Sequence, residues 1–306
     1  MYDQSNLQGH PSKQLRRDLR VIVLTIGLFF AIELLLMTTL QFAAALSMPG
    51  AAAALAAGDA MGFAAYLAST ASTPGIIVQL SPSVCILFGT MAFLIVRRRM
   101  FADLAAPAAA KISPGRFLGF AAAILGVGFA ASLLGSAVDA LLRAIGTDLS
   151  LTGLLMEATG SMVSPAGIAY LVVIGPICEE LIFRSAVMGR LVRHGENFAI
   201  VVSSVLFGLY HIILFQALYA IPLGMILGYV ALRHSLRAAI GLHILNNGIQ
   251  ALGMVLSALG AETASLVVIS GLNILGLAAF VVLTIRNRVA VRQGIRTGRS
   301  DRTVYR

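Results

Sequence analysis

Charge is scarce in this chain. Of 306 residues only 11% are Asp, Glu, Lys or Arg, while 58% are hydrophobic, and mean hydropathy is +0.91. So few charges cannot solvate a globule of this size, which excludes a soluble domain and leaves an integral membrane protein. Cysteine is scarce too. Cys85 and Cys178 both fall in apolar runs, which excludes a disulfide framework and reads as small buried hydrophobes. A basic stripe interleaved with aromatics is missing, so the net charge of +9 implies no nucleic-acid partner. Lys and Arg cluster instead in the tails and between apolar runs, as topology determinants and contacts to the lipid bilayer. No ten-residue alternation suggests a barrel. Backbone polar groups in lipid must be satisfied within their own segment, so every span is expected to be a helix.

What is present is a series of long apolar runs. Residues 1–20 form a polar, basic N-terminal tail. A first span, 21–45, is too long for a signal-peptide core and reads as retained. Its Glu33 is a lone mid-span acid, read first as a bundle-facing, hydrogen-bonded group. Residues 46–75 read as a weakly amphipathic loop or re-entrant piece, and spans follow at about 76–96, 117–142, 166–192, 198–215, 216–232, 238–256 and 264–285. The expectation is an all-α polytopic bundle of eight transmembrane helices over 21–285, with a catalytic core at 166–250 and a basic tail at 286–306. With both tails cytoplasmic, nearly every loop Lys and Arg falls inside and Arg143 alone outside. In a bacterium that predicts a multi-pass inner-membrane protein.

Against this background the stretch from Gly175 to Arg184 is anomalous, because it sets Glu179, Glu180 and Arg184 inside an apolar run. Each ionisable group at a helix centre costs on the order of 3 kcal/mol. Glu180 and Arg184 are four apart and share a face with the acid first, the better order for a helix ion pair. Glu179 points about 100° away and has no cation on its own helix. Desolvation of such a carboxylate suits a general base. The next helix offers Phe207 and His211 at the same spacing, and a later one His243 and Asn247. Each polar group is too costly to face lipid and would be satisfied by the others.

Glu179-Glu180-x-x-x-Arg184, Phe207-x-x-x-His211 and His243-x-x-x-Asn247, in that order on apolar spans, resemble the motif triplet of the CPBP intramembrane proteases. That family includes the type II CAAX prenyl endopeptidases and bacteriocin-processing or self-immunity proteins. Ser235-Leu236 leading through Ala239-Ile240 to His243 is also similar to the family's lead-in. Ser185 departs from the glycine that members often carry there. The resemblance implies a peptide hydrolase acting on a membrane-tethered, prenylated or bacteriocin-like substrate. It makes Glu179 the base that activates water, with His211 helping to hold it. His243 and Asn247 would donate to the oxyanion, and Glu180, Arg184 and Phe207 would support them.

Zinc is the competing chemistry. Glu179, His211 and His243 could ligate it and leave an open position. No His-Glu-x-x-His is present, however, and Asn247 is a poor zinc ligand, so water activation without a cofactor is favoured. Gly-x-Gly-Asp and Gly-x-Ser-Gly settings are also missing. Two non-proteolytic readings stay open, an immunity or scaffold protein with the same fold and a proton- or ion-coupled transporter. Taken singly, Glu180–Arg184 reads as a stabilising pair, and His211 and His243 as core histidines. Asn246 reads as helix glue, Gly224 and Gly228 as close helix packing, and His194 and His234 as solvated loop residues. Drawn to scale, His243 lies roughly 9 Å from the start of its span and His211 roughly 20 Å from its own, an offset the fold must absorb if they meet.

Overall fold

In the computed structural model, residues 11–72, 82–87, 89–91, 111–147, 150, 163–211 and 214–286 are described. Among them the regular structure is entirely helical, as expected. The helices are α1 Pro11–Leu46, α2 Ala51–Ala56, α3 Ala60–Ser72, α4 Pro114–Ala144, α5 Pro165–His194, α6 Glu196–Tyr210, α7 Leu214–Arg233, α8 Leu236–Ala258 and α9 Glu262–Arg286. Six of these (α1, α4, α5, α7, α8 and α9) are long and apolar enough to cross a membrane. Of the second expected span, about 76–96, the described residues 82–87 and 89–91 are helical, and the rest lies outside the described residues. The fifth, α6, has 15 residues, about 22 Å at 1.5 Å each. That is short of a hydrocarbon core of about 30 Å. The eight apolar runs are therefore not eight equal spans.

Two segments differ from their sequence reading. The stretch 46–75 is no loop where it is described. Gly50, at φ 87°, turns the chain, and α2 and α3 fold back so that Ala51 and Phe63 pack on Ala45. The tail at 1–20 is helical from Pro11, so its basic residues extend the first span by several turns.

Helix starts follow local chemistry. Ser113, Ser164 and Ser235 sit in extended backbone, and their side chains accept from the N–H groups of Arg116, Gly167 and Ala238. Proline follows the first two at N1, where its missing N–H costs nothing. Gly195, at φ 121°, makes the tight connection from α5 to α6. Small residues set helix spacing. A Cβ on Gly276 would lie 2.4 Å from Leu125, and one on Gly126 3.1 Å from Leu277, so α4 and α9 approach at glycines. Gly224 and Gly228 likewise admit Phe207 and Arg184, and Met188 and Ile200.

One end of the bundle collects ions. Asp18 of α1 is buried and accepts from Arg190 Nε and Arg193 Nε, each at 2.9 Å, with His194 Nε2 2.7 Å away. Arg233 pairs with Glu196. His234 is buried against Phe120, ring centroids 6.0 Å apart. Neither His194 nor His234 is a solvated loop residue, because each fills a gap between helix ends. The basic clusters at 190–197 and 233–237 thus share one face of the bundle with the start of α1. Cys85 and Cys178 are buried and free.

Candidate active site

α5 is wound unevenly, and its sequence supplies a reason. Pro176 has no N–H to give back along the helix. The turn before it, Tyr170–Ile174, is π-wound, with the Gly175 N–H reaching the Tyr170 carbonyl five residues back. Gly175–Glu180 is α-helical, and Leu181–Met188 is π-wound again. Such widened turns concentrate at functional positions. The paired glutamates stand at the boundary between the two windings. A Cβ on Gly175 would lie 3.1 Å from the Tyr170 carbonyl oxygen, a tight approach to the widened turn, and 3.7 Å from Glu179 Oε1, an ordinary contact.

Glu180 and Arg184 form the expected pair, with Nε to Oε2 at 3.3 Å and both side chains wholly buried. The contact is ionic and not aligned as a hydrogen bond. The guanidinium lies 4.7 Å above the centre of the Phe207 ring, and its Nη1 donates to Ser203 Oγ at 3.3 Å. Ser203 in turn donates to the Phe183 carbonyl. Glu180 is not closed off by that pair. Nδ1 of His243 lies 3.1 Å from its Oε1, while Nε2 of the same ring lies 3.6 Å from Glu179 Oε2. One imidazole therefore spans both carboxylates, and Glu179 finds across the bundle the partner its own helix lacks.

Phe207 is the hub. It is fully buried and meets the His211 and His243 rings edge-on, at centroid distances of 4.8 and 5.7 Å. His211 caps α6 and leans back one turn, its Nδ1 2.9 Å from the Phe207 carbonyl oxygen. A carbonyl only accepts, so Nδ1 carries a hydrogen, and in the neutral ring Nε2 is the nitrogen with the lone pair.

Glu179, His211, His243 and Asn247 line one cavity of about 570 Å³, together with Phe207. All four expected residues are brought together, from α5, α8 and the end of α6. Glu180 and Arg184 sit behind the wall. The cavity also contains groups the sequence did not link to the motifs. Glu33 of α1 faces it and accepts from the Tyr210 hydroxyl at 3.2 Å. It is hydrogen-bonded, as expected of a mid-span acid, and faces the site as well. A second cavity of about 310 Å³ lies beyond Asn247, which lines both, and is walled by Gln250, Asn246 and Asn273. Asn246 is helix glue in the expected sense, bonded to Tyr219 and Asn247. Its spacing gave no sign that it touches the motif asparagine. Among the described residues no group of three His, Cys, Asp or Glu side chains is arranged to hold a metal ion. Glu179 and His243 approach each other through Nε2 of the ring, whose Nδ1 is held by Glu180.

A polar site enclosed by apolar helices defines the class, an integral multi-pass membrane protein with a buried carboxylate–imidazole centre. Comparison with known families adds one similarity. The family model described as type II CAAX prenyl endopeptidase Rce1-like matches residues 162–249, the stretch that carries α5 to most of α8, and that stretch is similar to it. No curated protein and no solved structure matches the chain.

Proposed function

We propose that the protein is an intramembrane endopeptidase in which Glu179 activates a water molecule. The observation that carries this reading is the convergence of Glu179, His211, His243 and Asn247 on one cavity. Glu179 takes a proton as the water oxygen attacks the peptide carbonyl carbon. His211, with its Nε2 lone pair, accepts from the same water. The oxyanion receives an N–H of Asn247, and His243 adds a second donor when its Nε2 is protonated. The C–N bond then breaks, and the proton held by Glu179 passes to the leaving amine. General-base action is worth about 10²–10⁴ in rate, and one oxyanion donor about 10²–10³.

The substrate class is a membrane-tethered peptide. A prenylated CAAX-type peptide is the first candidate because the matching family is described by that activity. The arginines at the basic end of the bundle support an orientation with that end toward the cytoplasm. Purified protein in detergent, incubated with a prenylated peptide and with a tethered peptide lacking the prenyl group, tests the reading. Cleavage is expected to vanish in Glu179→Ala and His211→Ala. Full activity in Glu179→Ala would refute it. The same assay with a chelator series decides between bare water and a zinc ion held by Glu179, His211 and His243.

A further inference from the structure

The wall behind Asn247 is a chain of hydrogen bonds with a single direction. Asn247 Nδ2 lies 2.8 Å from the backbone carbonyl oxygen of Leu171. That carbonyl can only accept, so the carboxamide must turn its nitrogen toward it and its oxygen away. The oxygen accepts from Asn246 Nδ2 at 3.0 Å. The Asn246 oxygen is thereby turned to Tyr219, whose hydroxyl lies 2.6 Å away and must donate. Starting from the carbonyl, each step has one solution, and the chain runs from the Tyr219 O–H to the Leu171 C=O.

The helix explains why that carbonyl is free to accept. In ordinary α-winding Leu171 would receive the Gly175 N–H, but in the π-wound turn this N–H goes to Tyr170. The residue five beyond Leu171 is Pro176, which has no N–H. Gly175-Pro176, directly before the glutamates, therefore leaves a main-chain acceptor for the side chain of Asn247.

Asn247 has two N–H bonds. One is held by Leu171, and the second is not used in the chain, while the residue lines the cavity with Glu179. We infer that Tyr219 and Asn246 are positioning residues that hold the Asn247 carboxamide with its N–H edge, and not its oxygen, toward the reacting carbonyl. A flipped carboxamide would set an acceptor against the developing oxyanion and repel it. The inference rests on the protease reading and adds two residues to it, neither of them in the three motifs.

The test is steady-state kinetics of the full-length protein in detergent on the tethered peptide, with Tyr219→Phe, Asn246→Leu, Asn247→Ala and the double variant Asn246→Leu/Asn247→Ala. Asn247→Ala is expected to lower kcat by about 10²–10³. Tyr219→Phe removes one hydroxyl and should lower kcat about tenfold with KM within about twofold, because only transition-state stabilisation is lost. Asn246→Leu should fall further, and the double variant no further than Asn247→Ala, because both changes remove one function. A merely structural role would raise KM and multiply the two losses. Unchanged kcat in both Tyr219→Phe and Asn246→Leu, or full multiplication in the double variant, overturns the inference while the protease reading stands. A wild-type protein that cleaves neither peptide overturns the protease reading itself, and the catalytic use of the chain with it.

Discussion

Nδ1 of His243 lies 3.1 Å from Oε1 of Glu180, across 63 residues of chain and in full burial. This contact changes what the two adjacent carboxylates are for. Glu180 neutralises Arg184 and orients the imidazole, whereas Glu179 alone opens on the cavity. Their replacements should therefore behave differently.

Glu179→Gln should abolish cleavage and leave thermal unfolding in detergent nearly unchanged, within about 1 kcal/mol, because the Glu180–Arg184 pair and the Glu180–His243 contact stay in place. Glu180→Gln should also lower activity, but with a loss of about 3–5 kcal/mol in stability, since it strands a buried guanidinium. Circular dichroism melts beside the cleavage assay separate the two. Equal melting points would contradict the division of roles.

Phe207→Leu keeps volume and loses the ring faces. The Arg184 guanidinium and both imidazoles rest on that ring, so activity should fall more than stability. Phe207→Ala should cost about 3–5 kcal/mol through the cavity it leaves. A leucine variant with wild-type turnover would show that the ring merely fills space.

Asp18→Asn removes the only carboxylate seen between Arg190, Arg193 and His194 among the described contacts. Arg193 is partly exposed and can rehydrate, so about 3 kcal/mol is expected, at the low end for a broken buried pair. Limited proteolysis near the start of α1 should accelerate. Unaltered cleavage there would mean that α1 is held by its apolar face alone.

His234 lies between α7 and α8, where burial, and then the nearby Arg116, hold its imidazole below the ordinary value of 6.5. The unfolded chain therefore binds the proton more readily. The stabilisation is present above pH 6.5 and is lost as pH falls from there through the folded value. His234→Gln should flatten the acid side of the stability curve, and an unchanged slope would contradict this.

Much of this was legible in the sequence, and the limits are physical. Span ends from Pro114 onward agree with their hydropathy runs to within three residues, except the end of α6, which comes five residues early, because lipid enforces helix and serine caps mark several starts. The four cavity residues were readable because polar groups at membrane depth must find one another. Three things were not. Hydropathy does not register length, so the 15-residue α6 passed for a full span. Ideal helical geometry hid the π-turns, and with them the free carbonyl of Leu171. Contacts between distant segments, such as Asp18 with Arg190 and Glu33 with Tyr210, leave no mark in local spacing.

α1 supplies Phe30, Glu33 and Met37 to the cavity wall, yet it lies more than a hundred residues before the stretch that matches the family model. Its buried Asp18 waits on arginines made some 170 residues later. During synthesis Asp18 must therefore wait for these arginines until α5 emerges, and the part of the cavity wall that α1 supplies closes only when the two dock. Enclosure is thus a late event in assembly. A chain that stops short of Arg190 would carry Glu179 without the ion pairs that anchor α1 beside it.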